Sequence, residues 1–220
     1  MGNRVKDWWE KCHEEEDIKY ISGTPSGSIW AELQIVHLIK GRGVSSKKVL
    51  NIGVGTGVCT RALYRAGHTV DVLDISEKAI EKVKATTNKA YRPDTLHTID
   101  KNNYDLVISH LVMQHMSDED VNHQLKHVIP SLKKNEQSLF AFQFASYCDH
   151  GKDSLTGDAG APRQTIRDQQ RGGVCRSPEY MRNMVYNNKG KIPFEGGTTF
   201  SETTARWGYF HVVRADVDRE

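Results

Sequence analysis

Apolar residues along this chain recur with two alternating periods. Short apolar runs bounded by polar or glycine positions read as strands: KKVLNIG at 47–53, TVDVLDIS at 69–76, TLHTI at 95–99, YDLVISHL at 104–111 and QSLFAFQFA at 137–145. Between them lie stretches of helical period. TGVCTRALYRAG predicts a helix ending at Gly67, SEKAIEKVKATTNK one capped by Ser76, and SDEDVNHQLKHVIPSL one capped by Ser117 with Asp120 three residues on. Two further helices are predicted ahead of the first strand, from VKDWWEKCHEEED and SIWAELQIVHLIKG, the second with Ile29, Leu33 and Val36 on one stripe.

Strands alternating with helices of this length imply βαβ units and an α/β fold with a doubly wound, mostly parallel, Rossmann-like sheet. After the fifth strand the rhythm breaks over 146–176, a glycine-rich charged stretch that reads as a lid or substrate loop. Ser177 and Pro178 then start a helix, and KIPFEGGTTFSETTARWGYFHVVR reads as an antiparallel hairpin at the sheet edge. The expected organisation is a single domain over 1–220. It has a helical cover at 1–44, a ligand-binding core at 45–145, the loop at 146–176, and a helix with edge strands at 177–220.

Composition narrows the function. Thirty basic against 28 acidic side chains give a net charge of +2, without the basic excess of a nucleic-acid-coating surface. No apolar run is long enough to span a bilayer and the N-terminus lacks an apolar targeting core, so a cytoplasmic protein with no membrane partner is expected. His123 and His127 stand four apart on a predicted helix, but no third ligand accompanies them, so no metal is expected.

The chemistry concentrates in VLNIGVGTG. A glycine turn between a first strand and its helix is where α/β sheets bind nucleotide-like ligands. Gly53, Gly55 and Gly57 are spaced for neither a dinucleotide fingerprint, which wants a glycine at Val58, nor a phosphate loop, which wants lysine there. Asp74 ends the second strand 19 residues after Gly55, and one carboxylate can accept from both hydroxyls of a vicinal diol.

This G-x-G-x-G turn, with Asp74, TID at 98–100 and NYDLVISHLVMQHM following in order, resembles the class I S-adenosylmethionine-dependent methyltransferases over roughly 45–145. The resemblance implies S-adenosylmethionine as cofactor. It implies ribose binding by Asp74 with Ile75 beside it, and adenine binding by Asp100 with Ile99 against the ring. It also implies cofactor contacts from Asn51, the three glycines and His110. Asn51 stands where the family usually has a carboxylate.

A proton acceptor should sit where strands end, and either His110 or His115 meets that condition. Gln143, at the end of the fifth strand, together with His150, Arg163 and Arg167 in the long loop, are the expected substrate-binding residues. The amino-methylation motif of nucleic-acid enzymes is absent after the fourth strand, which reads SHLVMQHM. A small-molecule acceptor is therefore expected, and the stretch from QHMSDEDV to LKHVIPSLKKNEQSLFAFQF resembles methyltransferases of bacterial surface-glycan and natural-product assembly, which implies a sugar or phosphorylated metabolite. The alternatives are a protein or RNA methyltransferase, or a non-catalytic cofactor-binding scaffold subunit.

Overall fold

The structure, a computed structural model, describes residues 3–15, 47–135, 137–147, 174, 176–201 and 206–215. Its centre is a seven-stranded sheet in the order β3-β2-β1-β4-β5-β7-β6. The strands are β1 (Lys48–Ile52), β2 (Thr69–Leu73), β3 (Ala90–Tyr91), β4 (Leu106–Ser109), β5 (Leu139–Tyr147), β6 (Gly190–Ser201) and β7 (Arg206–Ala215). The first five are parallel neighbours, and the β6–β7 hairpin joins antiparallel to β5. The doubly wound sheet and its antiparallel edge hairpin are as the periodicity indicates.

The described helices are α1 (Asn3–Glu14), α2 (Val58–Arg65), α3 (Glu77–Val83), α4 (Asp118–Val128) and α5 (Pro178–Asn187). Three starts follow the capping residues in the sequence. Ser76, Ser117 and Ser177 each accept, through the side-chain oxygen, the backbone N–H three residues on, at Ala79, Asp120 and Tyr180. The stretch after Ser76 is helical for a shorter span than its period suggests, tightening to a 3₁₀ turn at Lys84–Thr86. The second predicted N-terminal helix lies outside the described residues.

Alternation along the strands splits the apolar side chains between two faces. Leu50, Ile52, Val107, Phe140, Phe142 and Phe144 pack on α4 and α5 through Val121, Leu125, Met181 and Val185. Val49, Val70, Val72 and Ile108 pack on α2 and α3 through Leu63, Ala79 and Val83. Both faces are covered, as a parallel sheet requires.

The third strand is a correction. TLHTI is not a strand: Pro93–Thr98 is 3₁₀-helical, started by Pro93 and by Thr95, whose hydroxyl accepts from the Arg92 N–H at 2.9 Å. The strand is Ala90–Tyr91, placed by a charge rather than by a period. Asp71 of β2, fully buried, accepts from Asn88 Nδ2 (2.8 Å), Lys89 N–H (3.0 Å) and the Tyr104 hydroxyl (2.7 Å). Those bonds fix where the chain joins β2, because a buried carboxylate left unpaired is costly.

The glycine turn after β1 is the most constrained backbone in this scaffold. Gly53 has φ +77°, and a methyl group built on it would overlap the Val112 side chain from the turn after β4. Gly53→Ala should therefore cost about 1–3 kcal/mol in backbone strain alone, with the overlap in addition. Thermal unfolding would then start several degrees lower, at roughly 2–4 °C per kcal/mol for a chain of this size. An unchanged melting temperature would mean that the turn relaxes without cost.

Candidate active site

The site is built where β1, β2 and β4 end. After Ile52 the chain turns through Gly53, Gly55 and Gly57, all at positive φ. Gly53 N–H donates to Leu73 O (2.8 Å), Gly57 N–H to Val54 O (2.9 Å), and Arg61 Nη2 to Thr56 O (2.8 Å), so the turn is held from both sides. Behind it, Asn51 Nδ2 donates to Thr60 Oγ1 at 2.9 Å and locks β1 to α2. Asp74 closes the arrangement. Its Oδ2 accepts from Val54 N–H (2.6 Å) and its Oδ1 from Ser76 N–H (2.8 Å), so one carboxylate ties the glycine turn to the start of α3.

Asp74 is only 9% exposed. Burial raises its pKa to about 6; the N–H donors of Ser76, Val54 and Ile75 oppose the rise, and the nearby charge of Glu10 adds to it. The three N–H donors leave about one acceptor position open, since a carboxylate offers about four lone-pair sites. It is therefore a charged acceptor near neutrality, able to take a further hydroxyl donor.

The turn after β4 faces this one. His110 follows Ser109 directly, Leu111 takes φ 58°, a conformation costly for a branched side chain, and Val112 lies against Gly53. Burial lowers the His110 pKa to about 4, so its imidazole is neutral at physiological pH and weakly basic. His115 sits in the 3₁₀ turn Met113–His115, its ring edge-on to Trp9 of α1, with centroids 5.1 Å apart.

That 3₁₀ turn is pinned by a buried arginine. Arg176 is 0% exposed and donates through Nη1 to Met113 O (2.9 Å), through Nη2 to Met116 O (2.7 Å) and through Nε to Asp118 Oδ1 (2.7 Å). Asp118 also accepts from the Tyr180 hydroxyl at 2.5 Å, and Val174 N–H donates to Gln114 O at 2.5 Å. The chain thus returns from the 148–173 stretch directly onto the turn that carries His115.

Comparison with known proteins bears on this geometry. Residues 49–135 match a protein family described as "Methyltransferase domain". That stretch carries the sequence pattern of a methyltransferase domain. Solved structures share the chain's fold. Magnesium protoporphyrin IX methyltransferase from Synechocystis, with S-adenosylhomocysteine bound, is 18% identical over 97% of this chain and 99% of its own, with a TM-score of 0.69. The 1,6-didemethyltoxoflavin-N1-methyltransferase of Burkholderia thailandensis is 13% identical over 93% and 87%, with a TM-score of 0.62. A methyltransferase from Methanosarcina mazei is 13% identical over 81% and 96%, with a TM-score of 0.60. No curated protein matches the chain.

Solved structures of this fold hold S-adenosylmethionine or S-adenosylhomocysteine, and the residues present here suit such a ligand. A turn with all three glycines at positive φ lies beside a carboxylate with about one acceptor position open. The structure brings Gly53, Gly55, Gly57, Asp74, Ile75 and Asn51 together at the ends of β1 and β2, and sets His110 and His115 at the end of β4. It does not bring Ile99 and Asp100 to them. Ile99 is buried in the apolar core. Asp100 is exposed and pairs with Lys89 at 3.7 Å, at the amino ends of the strands. Asn103 confirms that end of the sheet, accepting from Nζ of Lys48, the first residue of β1, at 2.9 Å. Misplacing β3 is what carried the adenine assignment to these residues. At the carboxyl end of the real β3 stands Arg92, paired with Glu77 (2.8 Å) and Asp94 (3.2 Å).

Gln143 is 1% exposed, one residue beyond the last β4–β5 register pair, and its Oε1 is buried without a donor. His150, Arg163 and Arg167 lie outside the described residues. His123 and His127 stack edge to face with centroids 4.7 Å apart, and among the described residues no group of three or more ligating side chains is arranged for a metal. No described helix is long and apolar enough to cross a membrane. Sequence reasoning missed Glu10, Val112 and the structural role of Arg176, whose partners are all distant in sequence.

The Asp74 pKa sets a pH dependence. Its folded value of about 6 lies above the ordinary 3.8, so the folded protein retains this proton through that window. The group's contribution to stability is therefore full below the ordinary value and is lost as pH rises through about 6. The charged, diol-accepting form appears over the same interval. S-adenosylhomocysteine affinity, titrated from about pH 5 to pH 8, should rise through pH 6 and level off above it, and Asp74→Asn should flatten the curve. A pH-independent affinity in the unaltered protein would remove Asp74 from the cofactor site.

Proposed function

We propose that this methyltransferase acts on a small molecule, with Asp74 receiving the ribose diol of S-adenosylmethionine and His115 accepting the proton from the nucleophile. S-adenosylmethionine supplies an activated methyl group, so the protein's own task is to orient the acceptor for in-line attack and to remove a proton where the nucleophile is a hydroxyl. The observation that carries the reading is the convergence of the β1, β2 and β4 turns. A charged carboxylate on one side and two histidines on the other flank a glycine cradle at the carboxyl ends of parallel strands.

His115 is favoured over His110 as the base because burial makes His110 weakly basic. A neutral His110 suits the cofactor-lining position expected of it. The adenine is assigned to the carboxyl end of β3, beside Arg92 and Pro93. A small acceptor is supported by the near-balanced charge and by the orphaned Gln143 oxygen, which a hydroxyl or amine donor of the acceptor would satisfy. Two proteins of this fold are named for methylating a tetrapyrrole and a heteroaromatic compound. Sugars and phosphorylated metabolites are the acceptor classes to screen first.

Calorimetric titration with S-adenosylmethionine and S-adenosylhomocysteine should give micromolar binding of both. With an acceptor in hand, His115→Ala should lower turnover by roughly 100-fold or more at neutral pH while S-adenosylhomocysteine affinity holds, and His110→Ala should weaken cofactor binding instead. Near-normal turnover of His115→Ala would assign proton removal elsewhere. Binding of both cofactor forms with no turnover across the acceptor screen would turn the reading towards a cofactor-binding subunit.

A further inference from the structure

The N-terminal helix α1 is attached to the domain in an unusual way. None of its side chains belongs to either large apolar cluster, though Val5, Cys12 and His13 are buried. Its described contacts are mostly polar and run along α3: Lys6 to Glu77 (3.1 Å), Lys78 to Glu14 (2.9 Å), and Lys82 Nζ to His13 O (2.9 Å). Pairs as exposed as these hold a helix weakly. At the centre of the seam is Glu10. Its Oε1 accepts from Glu77 N–H (2.6 Å), and its Oε2 from the Ser76 hydroxyl (2.9 Å) and Lys78 N–H (3.3 Å).

Ser76 is thus shared by two carboxylates. Its N–H serves Asp74 and its hydroxyl serves Glu10, so two negative charges stand within one residue of each other. Oε2 is saturated, whereas Oε1, with one donor, keeps an acceptor position. Like charges this close repel, and a ligand presenting two hydroxyl donors between them converts the repulsion into two charge-assisted hydrogen bonds. One residue before Glu10, Trp9 packs edge-on against His115 on the far side of the site.

We infer that α1 is a cofactor-dependent clasp: Glu10 joins Asp74 at the ribose of S-adenosylmethionine, and Trp9, carried on the same turn, then sets the His115 ring. Glu10 is a cofactor-binding residue in this scheme and Trp9 a positioning residue acting through His115. The inference rests on the cofactor assignment above and adds to it a coupling. Occupancy of the ribose site fastens the helix, and the fastened helix completes the side of the site where the proton leaves. A helix that stands outside both large apolar clusters suits this role, because the ligand adds closing interactions to those it already makes.

The test uses the full-length chain and S-adenosylhomocysteine, followed by titration calorimetry and by amide hydrogen exchange across residues 3–14. In the unaltered protein, saturation should slow exchange in that segment by about tenfold or more. Glu10→Gln, which keeps the shape but removes the charge and turns one acceptor oxygen into an amide donor, should bind roughly tenfold more weakly and lose the ligand-dependent protection, while Glu10→Asp recovers part of both. Trp9→Phe should leave affinity unchanged and shift the titration of the His115 ring seen by NMR. Micromolar binding by the unaltered protein with equal or tighter binding by Glu10→Gln, or with exchange in 3–14 indifferent to ligand, overturns the clasp and leaves the methyltransferase reading intact. An unmoved His115 titration in Trp9→Phe removes the coupling to the base. Absence of S-adenosylhomocysteine binding by the unaltered protein overturns the cofactor-site reading and the clasp together.

Discussion

A single carboxylate at the end of β2 organises the rest of the site. Asp74 accepts the Val54 N–H from one βα turn and the Ser76 N–H from the next, so the loops after β1 and β2 are fastened to a common charge. A buried carboxylate is tolerated only when donors surround it, and one of its donors, the Val54 N–H, comes from the turn whose glycines all take positive φ. The positive-φ turn in turn lets Val112 approach Gly53, which brings the end of β4 against the end of β1. Glycines, carboxylate and β4 turn are one interdependent unit.

Most of this unit was legible in sequence because its parts are local. Strand–glycine–helix, a carboxylate closing the second strand and serine caps at three helix starts each lie within a few residues of what they act on. The failures share one cause, which is dependence on distant partners. Two residues of β3 carry no period, and their place follows from Asp71 bonding Asn88 and Lys89 from the neighbouring strand. Ile99 and Asp100 were drawn into the site by that error. Glu10 lies in a charged run that reads as a wet helix face, and its partners Ser76, Glu77 and Lys78 are more than 60 residues on. Arg176 ends a stretch dense in arginine, and only the fold shows that its guanidinium is buried against two carbonyls and Asp118.

The solved relatives in fold act on acceptors as different as a magnesium tetrapyrrole and a toxoflavin precursor. A parallel sheet with its ligand at the carboxyl ends therefore sets where transfer occurs and leaves the acceptor to what surrounds it. In this chain the described side chains beyond β4 and along β5 include His115, against which Trp9 of α1 packs, and the buried Gln143.

Arg176 has an implication for how such a chain diverges. It marks a fixed point of re-entry: however the preceding residues vary, the guanidinium returns the backbone to Met113, Met116 and Asp118. Doubling the length of a loop costs only about 0.6 kcal/mol, so the length of chain between β5 and this anchor can drift at little cost. The turn bearing His115 is insulated from that drift. Variation in chain length and constancy of the turn after β4 are thereby separated at a single buried side chain.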